Sequence, residues 1–568
     1  MSKTITQAQP KYRPLIDQHW FIRLLEIFPG SVSWFLILGP ILFSIIDPIV
    51  VAYFIIAYDL FWLVRAFRMS TYLIRGYGRV RETVKIDWQE RLHWLEDPAP
   101  FIARTERQLI DLLHRHPGAS HVALLGQPIE PHDRYRELRR ELGLLQGIAS
   151  RHAAILDPRT LYQLVIVAAY NETREIIEPT VVSLLESNYP AEQIMLIIAY
   201  EERGGDEMAA TTAELIKAYG SKFAYAEAIQ HPADIEGEVI GKGGNITFAG
   251  RKATAMIEAR GIDPERVIVT TLDADNKPDP QYFANLSYTY CLDPNRIHKS
   301  YQPAPMYLNN IWDVPAPMRV VATGNSFYQV QEMMRPHRLR NFSSHAQPLR
   351  ALMETDFWSV ITPVEDGHQF WRSYFAFNGD YAVVPIYVPI YQDAVLADTY
   401  LKTLVAQYKQ LRRWAYGVSD FPFVVRNCIR NKEIPLGSRL LNTWRLFEGH
   451  VSWATAVLIV TFGGWLPLYL NFQFSQTREL AHLLPIIASY IQRVTTVGLV
   501  TMMWLSIATL PPRPARYKRR RNVLMLAQWI LLPVTGIVFT ALTAIDAQTR
   551  LMFGRYLGFY VTVKRRRS

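Results

Sequence analysis

Two carboxylates two residues apart, Asp273-Ala274-Asp275, close a run of apolar and β-branched residues (VIVTTLDAD, Val267 to Asp275). On an extended chain such a pair projects to one side. Unpaired, the two charges repel, and a divalent cation relieves that cost. Hard oxygen ligands suit Mg2+ or Mn2+, which keep some waters and also take phosphate oxygens. A cation held there would neutralise a departing diphosphate. The plain alternative is a turn acid before Pro278. Glu365-Asp366 follows Val360-Ile361 and Pro363 and reads as a loop opening a helix. Acids are ordinary stabilisers at a helix start, but one of them could take a proton from an attacking hydroxyl. In Gln410-Leu411-Arg412-Arg413-Trp414, Gln410 lies i,i+3 from Arg413 and i,i+4 from Trp414, so the three share one helix face. A guanidinium there can grip diphosphate oxygens, and an indole offers a sugar ring an apolar platform. An amphipathic surface helix would show the same pattern. Gly241-Lys242-Gly243-Gly244-Asn245 lacks a full P-loop pattern, so Lys242 reads as a single cation near a phosphate or as a solvated loop lysine.

These residues need a rigid frame. LVIVAAY (Leu164 to Tyr170) and IMLIIAY (Ile194 to Tyr200) look like buried parallel strands, with VIVTTLDAD as a third. Helical patterns lie between them at Ile176 to Leu185 and Ala209 to Tyr219, with Asn188-Tyr189-Pro190 as a stop. Alternating strands and helices imply a doubly wound α/β domain. In such sheets ligands bind beyond the carboxyl ends of the strands, which is where the polar residues fall.

The remainder differs in character. The chain has 568 residues, enough for more than one folding unit, and its long apolar runs cluster at the two ends. Ser31 to Leu63 is nearly uncharged and, taken from Phe21, fits two crossings turning at Asp47-Pro48. Val451 to Leu470, Leu483 to Leu510 and Val523 to Ile545 are each long enough to span. The reading is an N-terminal membrane hairpin over 1–70, a helical cytoplasmic extension over 71–160, a catalytic domain over 161–438, C-terminal transmembrane helices over 439–548 and a basic tail over 549–568. Within the extension, Ile102 to Leu113 and Tyr135 to Leu145 have helix-like spacing. The net charge of +10 concentrates in Arg513 to Arg521 and Lys564 to Arg567, beside apolar segments. That favours lipid headgroups over nucleic acid as the partner. Cys291 and Cys428 have no paired spacing, which excludes a Cys-rich zinc site. The first thirty residues lack the layout of a secretory signal, so the first apolar stretch is expected to stay in the mature protein.

In this order, the pieces resemble a family 2 glycosyltransferase. VIVAAYNE (Val165 to Glu172) resembles that family's nucleotide-binding start, and SLLESNYP (Ser183 to Pro190) the helix end and turn after it. GKGGN resembles the lysine and asparagine loop, and DAD the metal and diphosphate motif. VED (Val364 to Asp366) resembles the triplet usually written TED, and QLRRW the QxxRW motif of cellulose, chitin and hyaluronan synthase-like members. The resemblance covers about Leu161 to Trp414. It implies a GT-A-like doubly wound catalytic domain combined with transmembrane helices, a nucleotide-sugar donor, a glycan or lipid-linked acceptor, and Mg2+ or Mn2+. It places Ala169, Tyr170 and Glu172 at the base and ribose, Asp273 at the nucleotide or diphosphate, and Asp275 on the metal. Asp366, beside Glu365, becomes the base that deprotonates the acceptor, while Gln410, Arg413 and Trp414 hold the diphosphate and the acceptor end. Lys242 joins the donor site. The second strand ends in Tyr200-Glu201-Glu202, where many members have paired aspartates, so Glu201 would reach the base with a longer arm.

The expected reaction is one in-line displacement with inversion, in the cytoplasm where nucleotide sugars reside. A processive synthase is one version. A single addition onto a polyprenyl-phosphate or lipid acceptor is another, and a catalytically silent membrane scaffold or export subunit is a third. Five crossings would put the Lys564 to Arg567 tail outside, against the positive-inside expectation. A re-entrant last segment near Pro533 would resolve that.

Overall fold

The computed structural model describes residues 19–116, 130–477 and 479–558. The Lys564 to Arg567 tail lies outside the described residues. Eight strands form one mixed sheet in the order β3-β2-β1-β4-β7-β6-β8-β5. They are β1 (Tyr162–Ala169), β2 (Ile194–Glu201), β3 (Tyr225–His231), β4 (Val267–Asp273), β5 (Lys277–Pro278), β6 (Lys299–Met306), β7 (His345–Pro348) and β8 (Ala382–Tyr391).

The first four strands are parallel; β1, β2 and β4 are the continuous apolar runs expected of buried parallel strands, and β3, more polar, is the edge. Alternate residues of β1 feed two cores. Val165, Val167 and Ala169 pack with helices Arg174–Leu185, Gly205–Tyr219 and Tyr282–Leu292. Leu164 and Ile166 pack with helices Lys242–Ala259 and Leu349–Glu354 on the other face. This half is wound on both faces. The doubly wound description stops at β4, because β7 pairs antiparallel with it and with β6, and β5 pairs antiparallel with β8. The sheet is therefore mixed α/β. Prolines interrupt β6 and β8, and the β6–β8 ladder shifts register between Pro303 and Ala304.

Register sets the site. Ala168 of β1 stands beside Asp273 of β4, and Ala169 beside Tyr200 of β2. The carboxyl ends of three strands thus finish level.

Five helical stretches among the described residues are long and apolar enough to cross a membrane. They are His19–Ile46, Pro48–Thr83, Leu436–Leu470, Glu479–Ala508 and Arg520–Met552. Asp47 separates the first two, its side chain accepting from the backbone of Ile49 and Val50 ahead of Pro48. Phe35, Ile46, Val64, Trp504 and Ile530 are among many large apolar side chains left exposed along these stretches. The last stretch is broken by a 3-10 turn at Gln528–Leu531 and a π-turn at Gly536–Ala541, on either side of Pro533. It is tied to the sheet domain through Arg319 Nε to Gln528 Oε1 (2.5 Å) and Arg412 to Asp546 (2.9 Å). Between the N-terminal helices and the sheet, helices Ala99–Arg115 and Glu130–Ala149 pair, with Thr105 Oγ1 donating to Glu141 at 2.9 Å.

Candidate active site

Beyond the carboxyl ends of β1, β2 and β4 lies a cavity of about 260 Å³. Its wall includes Ala169, Tyr170, Glu172, Glu201, Lys242, Asp273, Glu365, Asp366, Gln410, Arg413 and Trp414. These residues come from segments more than two hundred positions apart. The sheet edge and two helices bring them together. Helix Glu365–Ala376 presents its first two residues, and helix Tyr400–Ala415 presents the face that carries Gln410, Arg413 and Trp414. Thr399 caps the second helix through Lys402 N at 3.2 Å.

Asp273 sits at the centre of a bonded set. Oδ1 accepts from Lys242 Nζ at 2.7 Å, and Oδ2 from Ser343 Oγ at 2.9 Å. Burial disfavours the Lys242 ammonium, but the charges of Asp273, Glu365 and Asp366 outweigh it and hold the lysine above its ordinary pKa. Lys242 is the first residue of helix Lys242–Ala259, so the segment read from sequence as a glycine-rich loop is a helix start. Gly243 is required there. A Cβ at that position would lie 2.4 Å from the Ser359 carbonyl oxygen and 3.2 Å from the Glu365 Cβ.

Asp366 and Glu365, neighbours in sequence, have opposite surroundings. Asp366 Oδ2 accepts Ser343 N at 2.6 Å and Oδ1 accepts Gly367 N at 2.7 Å. Val364, where the resembling triplet has threonine, receives a hydroxyl from elsewhere: its N–H donates to Thr362 Oγ1 at 3.3 Å. Glu365 is buried and its Oε2 has no hydrogen-bond partner among the described residues. Burial, reinforced by the Asp366 charge, pushes it up to about 7, against the pull of Lys242 and Arg413.

Asp275 lies behind the cavity wall. It is fully buried and its Oδ2 accepts the backbone N–H of Asp393 at 2.8 Å. Asp393 itself lines the cavity. Arg413 donates to the Pro363 carbonyl at 3.0 Å, which ties the helix bearing it to the turn before Glu365. Trp414 closes the far side with Phe342 and Tyr307, at ring separations of 5.3 and 6.3 Å.

At the opposite end, Glu172 Oε2 accepts Tyr170 N at 2.7 Å and turns the chain as it leaves β1. Glu201 is held by Arg203 at 2.7 Å and by His231 Nδ1 at 3.2 Å, and His231 Nε2 meets Glu238 at 3.0 Å. Burial would raise the Glu201 carboxyl, but these hydrogen bonds outweigh it and hold it below its usual range. Among the described residues its Oε1 is buried without a partner, as is Oδ1 of Asn245, another wall residue.

The sequence does not reveal Ser343. It adopts φ 45°, the left-handed region, and so bridges the two acids, hydroxyl to Asp273 and N–H to Asp366. Tyr307 and Phe342 are likewise unmarked by any motif.

No family model matches the chain, and no curated protein matches it. Among solved structures it is similar to a mannosyltransferase, PcManGT from Pyrobaculum calidifontis, in complex with GDP-Man and Mn2+. That likeness has 13% identity and a TM-score of 0.39, covering 86% of this chain and 100% of the other. It is also similar to S. aureus TarS 1-349 in complex with UDP-GlcNAc, at 12% identity and a TM-score of 0.34, covering 70% and 93%. At these TM-scores neither likeness bears on what this chain does.

Proposed function

We propose that the chain is a membrane-embedded glycosyltransferase of the family 2 kind, moving a sugar from a nucleotide-sugar donor to a growing glycan with inversion. The observation that carries this is the single cavity in which Asp273, Lys242, Asp366, Gln410, Arg413 and Trp414 meet at the strand ends. The donor base and ribose occupy the end lined by Ala169, Tyr170, Glu172 and Glu201. Lys242, the first turn of its helix and Arg413 hold the diphosphate, since a helix start and a guanidinium both favour phosphate oxygens. Asp366 takes the proton of the acceptor hydroxyl as that oxygen attacks the anomeric carbon and the bond to the diphosphate breaks. Ser343 N–H and Gly367 N–H keep its carboxylate aimed. Trp414, with Phe342 and Tyr307, offers the acceptor an aromatic wall.

A divalent cation fits the donor set. No group of three or more His, Cys, Asp or Glu that could cage one occurs among the described residues. Mg2+ and Mn2+ shared with substrate phosphates need only one or two carboxylates. Asp273 on the cavity wall would supply one, while Asp275, enclosed and bonded to Asp393 N, would have to turn toward the cavity to supply a second. Bound there, it would offset the charge gathering on the leaving diphosphate.

The catalytic domain is placed on the cytoplasmic side, where nucleotide sugars are found. Lengthening of a polysaccharide is favoured over single addition because Gln410-Leu411-Arg412-Arg413-Trp414 resembles the QxxRW motif of processive synthases. Screening UDP- and GDP-sugars for release of nucleoside diphosphate by the purified chain, with and without a chelator, tests the proposal. Turnover of one donor, lost on chelation, is expected. No turnover with any donor would overturn it.

A further inference from the structure

A second charged site lies outside the cavity, where the sheet domain meets the membrane-length helices. The segment after helix Ala316–Met333 carries Arg335, His337, Arg338 and Arg340. Arg65 and Arg68 of helix Pro48–Thr83 stand close enough to act electrostatically on Arg335, and Arg445 of helix Leu436–Phe462 on His337 and Arg340. Two carboxylates answer six guanidinium groups. Glu332 pairs with Arg335, and Glu448 is shared by Arg65 and, at 3.5 Å, Arg338. Among the described residues Arg68, Arg340 and Arg445 have no carboxylate within ion-pair reach.

The excess is built in. The Arg340 guanidinium lies 4.0 Å from the Phe370 ring centre and 4.9 Å from that of Trp371, and donates to Asn442 Oδ1 at 3.1 Å. Arg445 donates to the His337 carbonyl at 3.1 Å. Burial and then the neighbouring arginines push Arg335 down to about 10 and Arg340 to about 9, the sign of cations crowded without enough counter-charge. Exposed Val64 and Phe67 on one helix, and Leu440, Leu441 and Trp444 on the other, flank the cluster. Exposed apolar side chains giving way to Trp444 and a cluster of arginines mark the level of lipid headgroups.

We propose that this cluster is a binding site for the phosphate of an anionic phospholipid headgroup. The site rests on the reading that the two long helices lie in a bilayer, and is independent of the sugar-transfer chemistry. Arg68, Arg340 and Arg445 contact the headgroup phosphate, while the acyl chains lie along Val64, Phe67 and Leu440. The neutralised cluster adjoins the cavity, since Phe342 and Ser343 follow Arg340 within three residues.

The test is native mass spectrometry of the full chain in neutral detergent, offered phosphatidylglycerol or phosphatidylcholine with the same acyl chains. The wild type should retain phosphatidylglycerol preferentially. Arg68→Gln combined with Arg445→Gln should weaken that retention about tenfold or more, while Arg445→Lys keeps most of it. Arg68 is exposed, so the single Arg68→Gln variant probes the site without touching the packing. Equal retention of both lipids would overturn the headgroup site and leave the membrane reading standing. Retention of neither would overturn both. Displacement of phosphatidylglycerol by millimolar inorganic phosphate would assign the site to a soluble anion and overturn the proposal as well.

Discussion

Replacing Glu365 by Gln should make the protein more stable at alkaline pH and leave it nearly unchanged in acid. The buried carboxyl is pushed up to about 7, against about 4.3 in an unfolded chain. A raised carboxyl means that the folded state binds the proton more tightly. Its stabilising contribution is complete below about pH 4 and is lost as pH rises through 7. Holding the charged form in the fold at pH 8 therefore costs about 4 kcal/mol. Glutamine keeps the volume and never ionises. Thermal unfolding followed by tryptophan fluorescence in detergent, at several pH values from 5 to 8, reads the difference. The gap between variant and wild type should open with pH, reaching on the order of 5 °C at pH 8. Parallel curves would refute the reasoning, because they would mean that Glu365 ionises in the fold without cost. A gap that closes with pH would reverse the sign of the shift.

Other substitutions test the frame of the site. Gly243→Ala should destabilise the fold by about 1–3 kcal/mol, because the new Cβ meets the Ser359 backbone oxygen at 2.4 Å rather than a movable side chain. A lower midpoint of thermal unfolding checks this. Ser343→Ala removes the hydroxyl on Asp273 but keeps the N–H on Asp366, so kcat/KM should fall about tenfold rather than vanish, in a donor-turnover assay. Glu201→Ala frees His231 and Arg203 at the base end, so donor affinity should fall while turnover at saturating donor changes little. Titration of the donor against kcat separates these.

The parts of the site legible in the sequence are those where strand ends and acids coincide. Asp273 ends a short β-branched run of strand length, and a buried strand of that kind ends at the ligand edge of the sheet. Gln410, Arg413 and Trp414 were legible through helix spacing alone. Ser343 was not, because its role comes from a left-handed backbone angle that serine rarely adopts and that no motif marks. The contrast between Glu365 and Asp366 was also hidden. Adjacent acids look alike until packing buries one and gives the other two N–H donors. The far half of the sheet escaped because Pro303, Pro305, Pro385 and Pro389 break the strand pattern in β6 and β8, and β3 (YAEAIQH) is too polar to read as a buried strand. The resemblance puts Asp275 on the metal, but its carboxylate is enclosed and bonded to Asp393 N. Two residues of separation fix the side of the chain, not the depth.

The proposed chemistry turns on the carboxylate at 366, and the most direct measurement compares wild type with Asp366→Asn for both donor affinity and sugar transfer. Asparagine fills the same space and retains an acceptor oxygen for Ser343 N or Gly367 N, so the donor should bind within a few-fold of wild type. Transfer should fall by about 10²–10⁴-fold. Unchanged transfer would contradict the account, and so would loss of donor binding in a protein that still folds.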